Sequence, residues 1–381
     1  MRMPGVPGMG GMNMNQLMNQ MGGMPGMGGG MSDDGEAHAD ERAVQAEVTS
    51  FSSTRSAPGI IYATECGCAS LHKNTPSVYK AGLLLPCMDV FNCVWKERAV
   101  SKADKLFVSM CRDILDHGTT TEGEKVRPVW EDGTPAYTIK NFGVTNRYDL
   151  REEFPALTLR RTALKSAMDE VLWIYQKKSN NINDLKSHIW DQWADETGSI
   201  GKAYGYQIAQ KSHYKEGDFD QMDRALYDLT HTPYSRRIMT NMYTFADLSE
   251  MHLYPCAYSV TYNVTAEPGC DKPVLNMVLM QRSQDILAAN NWNVCQYAIL
   301  LMMVARHCDM IAGELLHVIV DAHIYDRHVD IVRELIERPQ FPAPKVSLNP
   351  EVTNFYDFTT DDLIVEDYET GPQVKGIPIA V

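Results

Sequence analysis

From residue 101 onward, apolar residues recur at helical spacing: Leu106, Phe107, Met110, Cys111, Ile114 and Leu115 form one stripe that stops before Gly118. Side chains three and four positions apart share a helix face, so the stripe predicts a helix starting at Ser101 with one side buried. The same periodicity predicts helices over 162–178, 219–229, 293–311 and 327–338. Alternation with period two, and runs rich in Tyr, Val and Leu, predict strands over 237–243, 257–264, 274–281 and 315–320. Helices and strands do not alternate regularly, so the expected fold is α+β, a mixed sheet covered by helices.

The first hundred residues read differently. Residues 1–31 are built almost entirely from Met, Gly, Pro, Asn and Gln, and an acidic run follows over 33–41. No apolar face can form from such a pattern, so residues 1–48 are expected to be a disordered tail. Residues 49–100 carry apolar pieces such as 81–85 without sustained period and form an extension of unknown structure. Cys66, Cys68, Cys87 and Cys93 are scattered through it, but one residue between Cys66 and Cys68 is shorter than the spacing of paired zinc ligands, so no metal is expected. The domain boundary is placed at residue 101, with a single catalytic domain over 101–381. Lys96-Glu97 can be encoded by a ribosome-binding sequence, which would suit initiation at Val100.

Composition narrows the function classes. With 381 residues and 44% hydrophobic content the chain can fill a substantial core. A formal net charge of −14 argues against a broad nucleic-acid or anionic-membrane surface while leaving room for a basic pocket that holds one small phosphate. The best apolar run, 294–305, is interrupted by Gln296 and falls short of the roughly 20 residues a membrane span requires. Nine cysteines without disulfide-scaffold spacing fit reduced thiols. A cytoplasmic location is therefore expected.

The candidate chemistry lies in the second half. Cys256 follows Pro255 and precedes a Tyr- and Val-rich strand, a position that sets a thiol at the mouth of a sheet. Arg236 and Arg237 precede one strand, and Arg282-Ser283 ends another. Guanidiniums and a hydroxyl so placed suit phosphate oxygens, and cations beside a thiol lower its pKa. Trp190 and Trp193 are close enough to wall a flat heterocycle, and Glu170 sits among apolar neighbours on a helix. His323 and Tyr325 alternate out of a strand onto one face, where both can bond one ligand hydroxyl. Taken singly, each also fits a plainer role: a small buried thiol, core tryptophans, solvated arginines.

In combination and in order these residues resemble thymidylate synthase from about residue 101 to 381. The motifs that carry the resemblance are Glu170-Val-Leu-Trp, Ile189-Trp-Asp-Gln-Trp193, Ser235-Arg-Arg237, Pro255-Cys256, Gln281-Arg-Ser-Gln-Asp285, Asp321-Ala-His-Ile-Tyr325 and the terminus Pro378-Ile-Ala-Val381. The resemblance implies reductive methylation of dUMP to dTMP, with methylenetetrahydrofolate as cosubstrate, no metal or flavin, and Cys256 as nucleophile. It implies a homodimer in which Arg236 and Arg237 reach the partner's nucleotide phosphate, joined by Arg282 and Ser283, and Arg127 takes a further phosphate role. Asn293 would read the pyrimidine edge, and His323 and Tyr325 would hold the deoxyribose hydroxyl. Glu170 and Tyr204 would assist proton movements, Trp190, Trp193 and Asp285 would line the folate site, and Val381 would close over it.

Three stretches depart from the family pattern. The His after the catalytic Cys and the Gln five places after it are Ala257 and Thr261 here. The Leu-Gly-x-Pro-Phe-Asn loop is Ala288-Ala-Asn-Asn-Trp-Asn293, and the Arg-Thr-Gly-Thr phosphate loop is Glu131-Asp-Gly-Thr134. The altered loop before Asn293 keeps open a dUMP hydroxymethylase, in which water rather than hydride captures the one-carbon unit. A non-catalytic nucleotide- or RNA-binding regulator is the reading from another class. An Asn at 293, able to donate and accept, favours uracil over cytosine in either enzyme.

Overall fold

A computed structural model of the chain describes residues 100–380. The expectations for residues 1–99 and for Val381 lie outside the described residues.

Helix α1, Lys102–His117, buries Phe107, Met110, Cys111 and Ile114 on the face its sequence stripe predicts. Strands β1, Thr119–Thr120, and β2, Thr138–Asp149, follow. Helix α2, Leu164–Val171, carries Glu170 and then widens into a π turn over Leu172–Gln176. The predicted helix 162–178 is thus α-helical only in its first half. One-turn π segments of this kind frequently lie at functional sites.

A short helix α3, Gly205–Ile208, and a hairpin, β3 Ser212–Tyr214 with β4 Gly217–Phe219, lead to α4, Gln221–His231. Helix α4 starts two residues later than the sequence suggests because Asp220 caps it, its carboxylate accepting the Asp223 N–H at 2.9 Å.

Strands β5 Met239–Asn241, β6 Ala257–Thr265, β7 Val274–Gln281 and β8 Gln284–Asp285 come next. Helix α5, Asn290–His307, is buried nearly all round and crosses from them to β9, Ile311–Tyr325. Helix α6, Val329–Leu335, and the pair β10 Lys345–Leu348 and β11 Leu363–Glu366 complete the described chain.

The principal sheet has seven strands in the order β1-β2-β9-β7-β6-β5, with β8 also paired to β9. It is mixed: β7 and β8 run parallel to β9, and the other pairings are antiparallel. The parallel pair needs a crossover, which α5 supplies. Strand β9 is far longer than the predicted 315–320, because Glu314, His317, Asp321 and His323 interrupt its apolar run without interrupting its ladder. Strand β2 has no counterpart in the sequence reading. Much of its outer face is open, Phe142 being 91% exposed, so it shows no apolar alternation. Arg237 lies in the turn before β5 and not within the predicted strand 237–243. Among the described residues no helix is long and apolar enough to cross a membrane.

The ladder along β9 breaks at a position that shapes everything above it. Gln281 pairs with Ile319 at the end of β7, and pairing resumes at Gln284 with Ala322. Arg282 and Ser283 fill the gap, released from the sheet and free to turn toward the start of β6.

Tyr204, immediately before α3, has φ +45°, an unfavourable conformation for a side chain of its size. The neighbouring Gly205 lies against the Ser179 carbonyl, where a Cβ would come within 2.0 Å. Gly205→Ala is therefore expected to force this backbone apart. A loss of roughly 1–3 kcal/mol in denaturant unfolding would check it, the range typical of overpacking.

Candidate active site

Cys256 is the residue before β6, and Ala257 pairs with Gln281, so Cys256 faces Arg282 across the ladder. The Arg282 N–H donates to the Cys256 carbonyl at 3.0 Å. Its guanidinium reaches back over the same loop: Nε donates to the Pro255 carbonyl at 3.0 Å, and Nη2 to the Tyr254 carbonyl at 2.8 Å and toward Cys256 Sγ at 3.6 Å. Behind the loop the Cys256 N–H donates to the Tyr204 hydroxyl at 3.4 Å. The thiol is held from three sides.

Its ionisation corrects the sequence expectation. Burial pushes the Cys256 thiol pKa above its ordinary value, and the pull of Arg282 and then Arg127 offsets that only in part. Cations beside a thiol do favour the thiolate, but here desolvation is the larger effect.

Strand β9 carries the opposite wall. His323 Nδ1 lies 2.9 Å from Asp321 Oδ1, and Lys140 of β2 donates to Asp321 Oδ2 at 2.6 Å. The Tyr325 ring meets the His323 ring edge-on at 5.0 Å, so the two share a face as predicted. Burial raises the Tyr325 phenol to about 12; Arg127 pulls it the other way. The stretch 131–134 is a turn in which Asp132 accepts from Thr134 and pairs with Arg327 at 2.7 Å.

A third group gathers at the end of α2. The Glu170 carboxyl is buried, and Trp292 Nε1 donates to its Oε2 at 2.9 Å. Burial raises its pKa; Gln296, Trp292 and Trp190 oppose the shift, and the charge of Asp169 adds to it. Trp190 is both core and wall, packing edge-on against Tyr204 at 4.9 Å and Trp193 at 5.5 Å and tilted against Trp173 at 5.6 Å. On α5, Asn293, the residue after Trp292, is set in an amide cluster. Its Oδ1 accepts from Gln284 at 3.2 Å and Gln281 at 3.4 Å, and its Nδ2 donates to Gln296 at 2.9 Å.

Asp285 closes the site. The Ala288 N–H donates to its Oδ1 at 3.0 Å, and the same oxygen lies 3.5 Å from His328 Nδ1. Burial alone would raise the Asp285 pKa, but His328, Ala288 and His323 together hold it below the usual carboxylate value. The other nitrogen of His328 donates to the Pro378 carbonyl at 2.7 Å, which ties the C-terminal segment to this wall.

A family model described as Thymidylate synthase matches residues 105–381. Thymidylate synthase 1 of Bacillus subtilis (strain 168) is 39% identical over 280 residues, covering 72% of this chain and 98% of that protein. The thymidylate synthase of Bacillus phage phi3T is 38% identical over the same length and with the same coverage. A solved structure, the thermostable thymidylate synthase A from Bacillus subtilis, superposes with a TM-score of 0.68 at 38% identity, over 73% of this chain and 99% of that one. The chain belongs to the thymidylate synthase family. It is a methyltransferase, like the homologues it matches.

The thymidylate synthase motifs, distant in sequence, meet in pairs. Cys256 touches Arg282 and Tyr204, Glu170 neighbours Trp190, and Asn293 bonds the Gln281–Gln284 segment. The cations acting on the thiol are Arg282 and Arg127, whereas Arg236 and Arg237 stay exposed, with no ion-pair partner among the described residues.

Sequence reasoning passed over Trp292, His328 and Arg160. Arg160 is buried and donates to the Leu287 carbonyl beside Asp285. Trp292 and His328 flank motif residues, and starting helix α5 at Asn290 rather than at 293 would have drawn attention to the first. Arg160 gave no signal, since an arginine ahead of a helix usually meets solvent.

A half-buried thiol with a raised pKa has a specific signature. Alkylation of Cys256 by iodoacetamide, followed by peptide mapping, is expected to accelerate with a midpoint above that of an ordinary cysteine. In Arg282→Gln the midpoint is expected to rise further.

Proposed function

We propose that this cleft performs the reductive methylation of dUMP to dTMP, with Cys256 as the nucleophile. The observation that carries the reading is the clamp of Arg282 on the Tyr254–Cys256 loop beside the buried Tyr204 hydroxyl. It presents one thiol, next to cations, at the edge of a sheet that also carries His323 and Tyr325.

Binding a nucleotide phosphate near Arg282, Ser283 and Arg127 fixes the pyrimidine over Cys256. Loss of the thiol proton lets Sγ add to carbon-6, which forms a C–S bond and moves an electron pair through carbon-5 onto the carbon-4 oxygen as an enolate. The Asn293 amide matches that edge of uracil, and a well-placed donor to such an oxyanion is worth roughly 3–4 kcal/mol. Carbon-5 then attacks the one-carbon unit. Methylenetetrahydrofolate supplies both that unit and the hydride that reduces it, and leaves as dihydrofolate; the Cys256–carbon-6 bond breaks as the methyl forms, which restores the pyrimidine double bond and returns the thiolate.

Glu170 and Tyr204 hold the water that takes the carbon-5 proton. His323 and Tyr325 fix the deoxyribose hydroxyl. Trp190, Trp193 and the ionised Asp285 suit a flat, hydrogen-bonding heterocycle: the indoles offer aromatic faces, and the Asp285 carboxylate keeps its charge despite burial. Val381, outside the described residues, takes the role of closing over the folate in this reading. Location in the cytoplasm and action as a homodimer belong to the same reading. Exposed apolar side chains on the principal sheet, Phe142, Met239 and Val320, suit burial against a second copy, and the unpaired Arg236 and Arg237 suit a phosphate on that copy.

Mixing the protein with dUMP and methylenetetrahydrofolate is expected to yield dihydrofolate together with a methylated nucleotide. Cys256→Ser should lower the rate by on the order of 10³-fold or more. A hydroxymethylated product without dihydrofolate would instead move the protein to the hydroxymethylases. Arg237→Ala should also be nearly inactive alone, and unfolding and refolding it together with Cys256→Ser should restore about a quarter of the activity, through hybrid dimers with one intact site. No recovery in the mixture would overturn the shared site.

A further inference from the structure

We propose that Trp292 is a positioning residue for the proton-transfer step, its indole N–H orienting the buried Glu170 carboxyl and favouring its charged form. The inference rests on the proposed role of Glu170 and adds the group that makes that role workable.

A carboxyl buried at the end of α2 has a problem that its location cannot solve. Desolvation favours the neutral acid, and among the described residues no Lys or Arg forms an ion pair with Glu170. The groups that face it are Asp169 on its own helix, Tyr204 ahead of α3, Tyr297 on α5, and the neutral side chains Trp190, Gln296 and Trp292. Asp169 disfavours the charged form, and both phenols are themselves held neutral by burial. Support for the carboxylate therefore comes from neutral N–H donors alone.

Of these, Trp292 closes a bond of regular geometry, Nε1 to Oε2 at 2.9 Å. The Gln296 amide and the Trp190 indole N–H lie beside the same carboxyl and also lower its pKa, but neither closes a bond of that geometry. An indole nitrogen only donates, so it can serve a carboxylate oxygen and cannot accept the proton of a neutral acid. Its bond to a charged carboxylate is stronger than its bond to the neutral acid, the direction the reaction needs. Gln296 links this point to Asn293, so a single turn of α5 faces both the pyrimidine edge and the proton relay. A phenylalanine at 292 would keep an aromatic ring, though a smaller one, and remove the donor, leaving the carboxyl to its burial.

The test is Trp292→Phe, read by the pH dependence of kcat and by tritium release from dUMP labelled at carbon-5. The acid limb of both profiles is expected to move up by about one pH unit, as loss of a hydrogen bond to a charged group implies, with the KM for dUMP little changed. Activity should recover at high pH, which a merely structural defect would not produce. Glu170→Gln, alone and combined with Trp292→Phe, separates the two layers of the argument. If Glu170→Gln removes the limb and Trp292→Phe adds nothing to it, both assignments stand. A limb that Glu170→Gln removes but Trp292→Phe leaves in place overturns the role of Trp292 alone. A limb unchanged in Glu170→Gln overturns the reading of Glu170 itself. Should Trp292→Phe fold poorly, the benzothiophene isostere of tryptophan placed at 292 deletes only the N–H, and the same shift is expected.

Discussion

The Arg282 side chain fastens the loop before β6 to the break between β7 and β8, and the geometry of the site follows from that contact. Three donors from one residue satisfy the Tyr254, Pro255 and Cys256 carbonyls, and a fourth approaches the Cys256 sulfur. Hydrogen bonds from a charged donor contribute roughly 1.5–3 kcal/mol each. They also fix direction, because the guanidinium is planar and its donors diverge at set angles. At the ladder break between Gln281 and Gln284, Arg282 leaves β9 and bonds only toward the loop that carries the thiol.

Long strand β9 organises the opposite wall by the same economy of parts. It pairs with β2 on one side and with β7 and then β8 on the other, so Asp321, His323 and Tyr325 are set in register with both Lys140 and Asp285. Burial dominates the electrostatics of this whole region. It raises Cys256, Glu170 and Tyr204 together, and each is then partly restored by two or three specific neighbours. A dry site strengthens every such neighbour, which is why a single indole N–H or a single guanidinium matters here more than it would at a surface.

Much of this was legible from the residues. Helix α1, strands β6 and β7 and most of α4 and α5 announce themselves through one-sided apolar periodicity, because each packs one face or its entire surface into the core. Strand β2 was not legible, since much of its outer face is open and its inner positions include the buried polar Asn146. The second half of helix 162–178 became a π turn because Lys177 and Ser179 donate to carbonyls one and two residues further back than an α-helix uses. Nothing in the local pattern of Leu172–Gln176 signals that change.

By itself the sequence determined the chemistry available and the fold class: one thiol after a proline, paired arginines, neighbouring tryptophans, a His and a Tyr two apart on a strand, and the order of motifs that places the chain in its family. Those properties are local, and alternation or spacing reveals them. Tertiary structure alone decided which groups meet and in what ionisation state. The thiol is raised rather than lowered, Trp292 rather than a cation supports Glu170, and His328 joins Asp285 to the C-terminal segment. The physical reason is that burial and approach depend on residues far apart in the chain, such as Glu170 and Trp292 or His328 and Pro378, and no one-dimensional pattern records the dielectric or the distance between them.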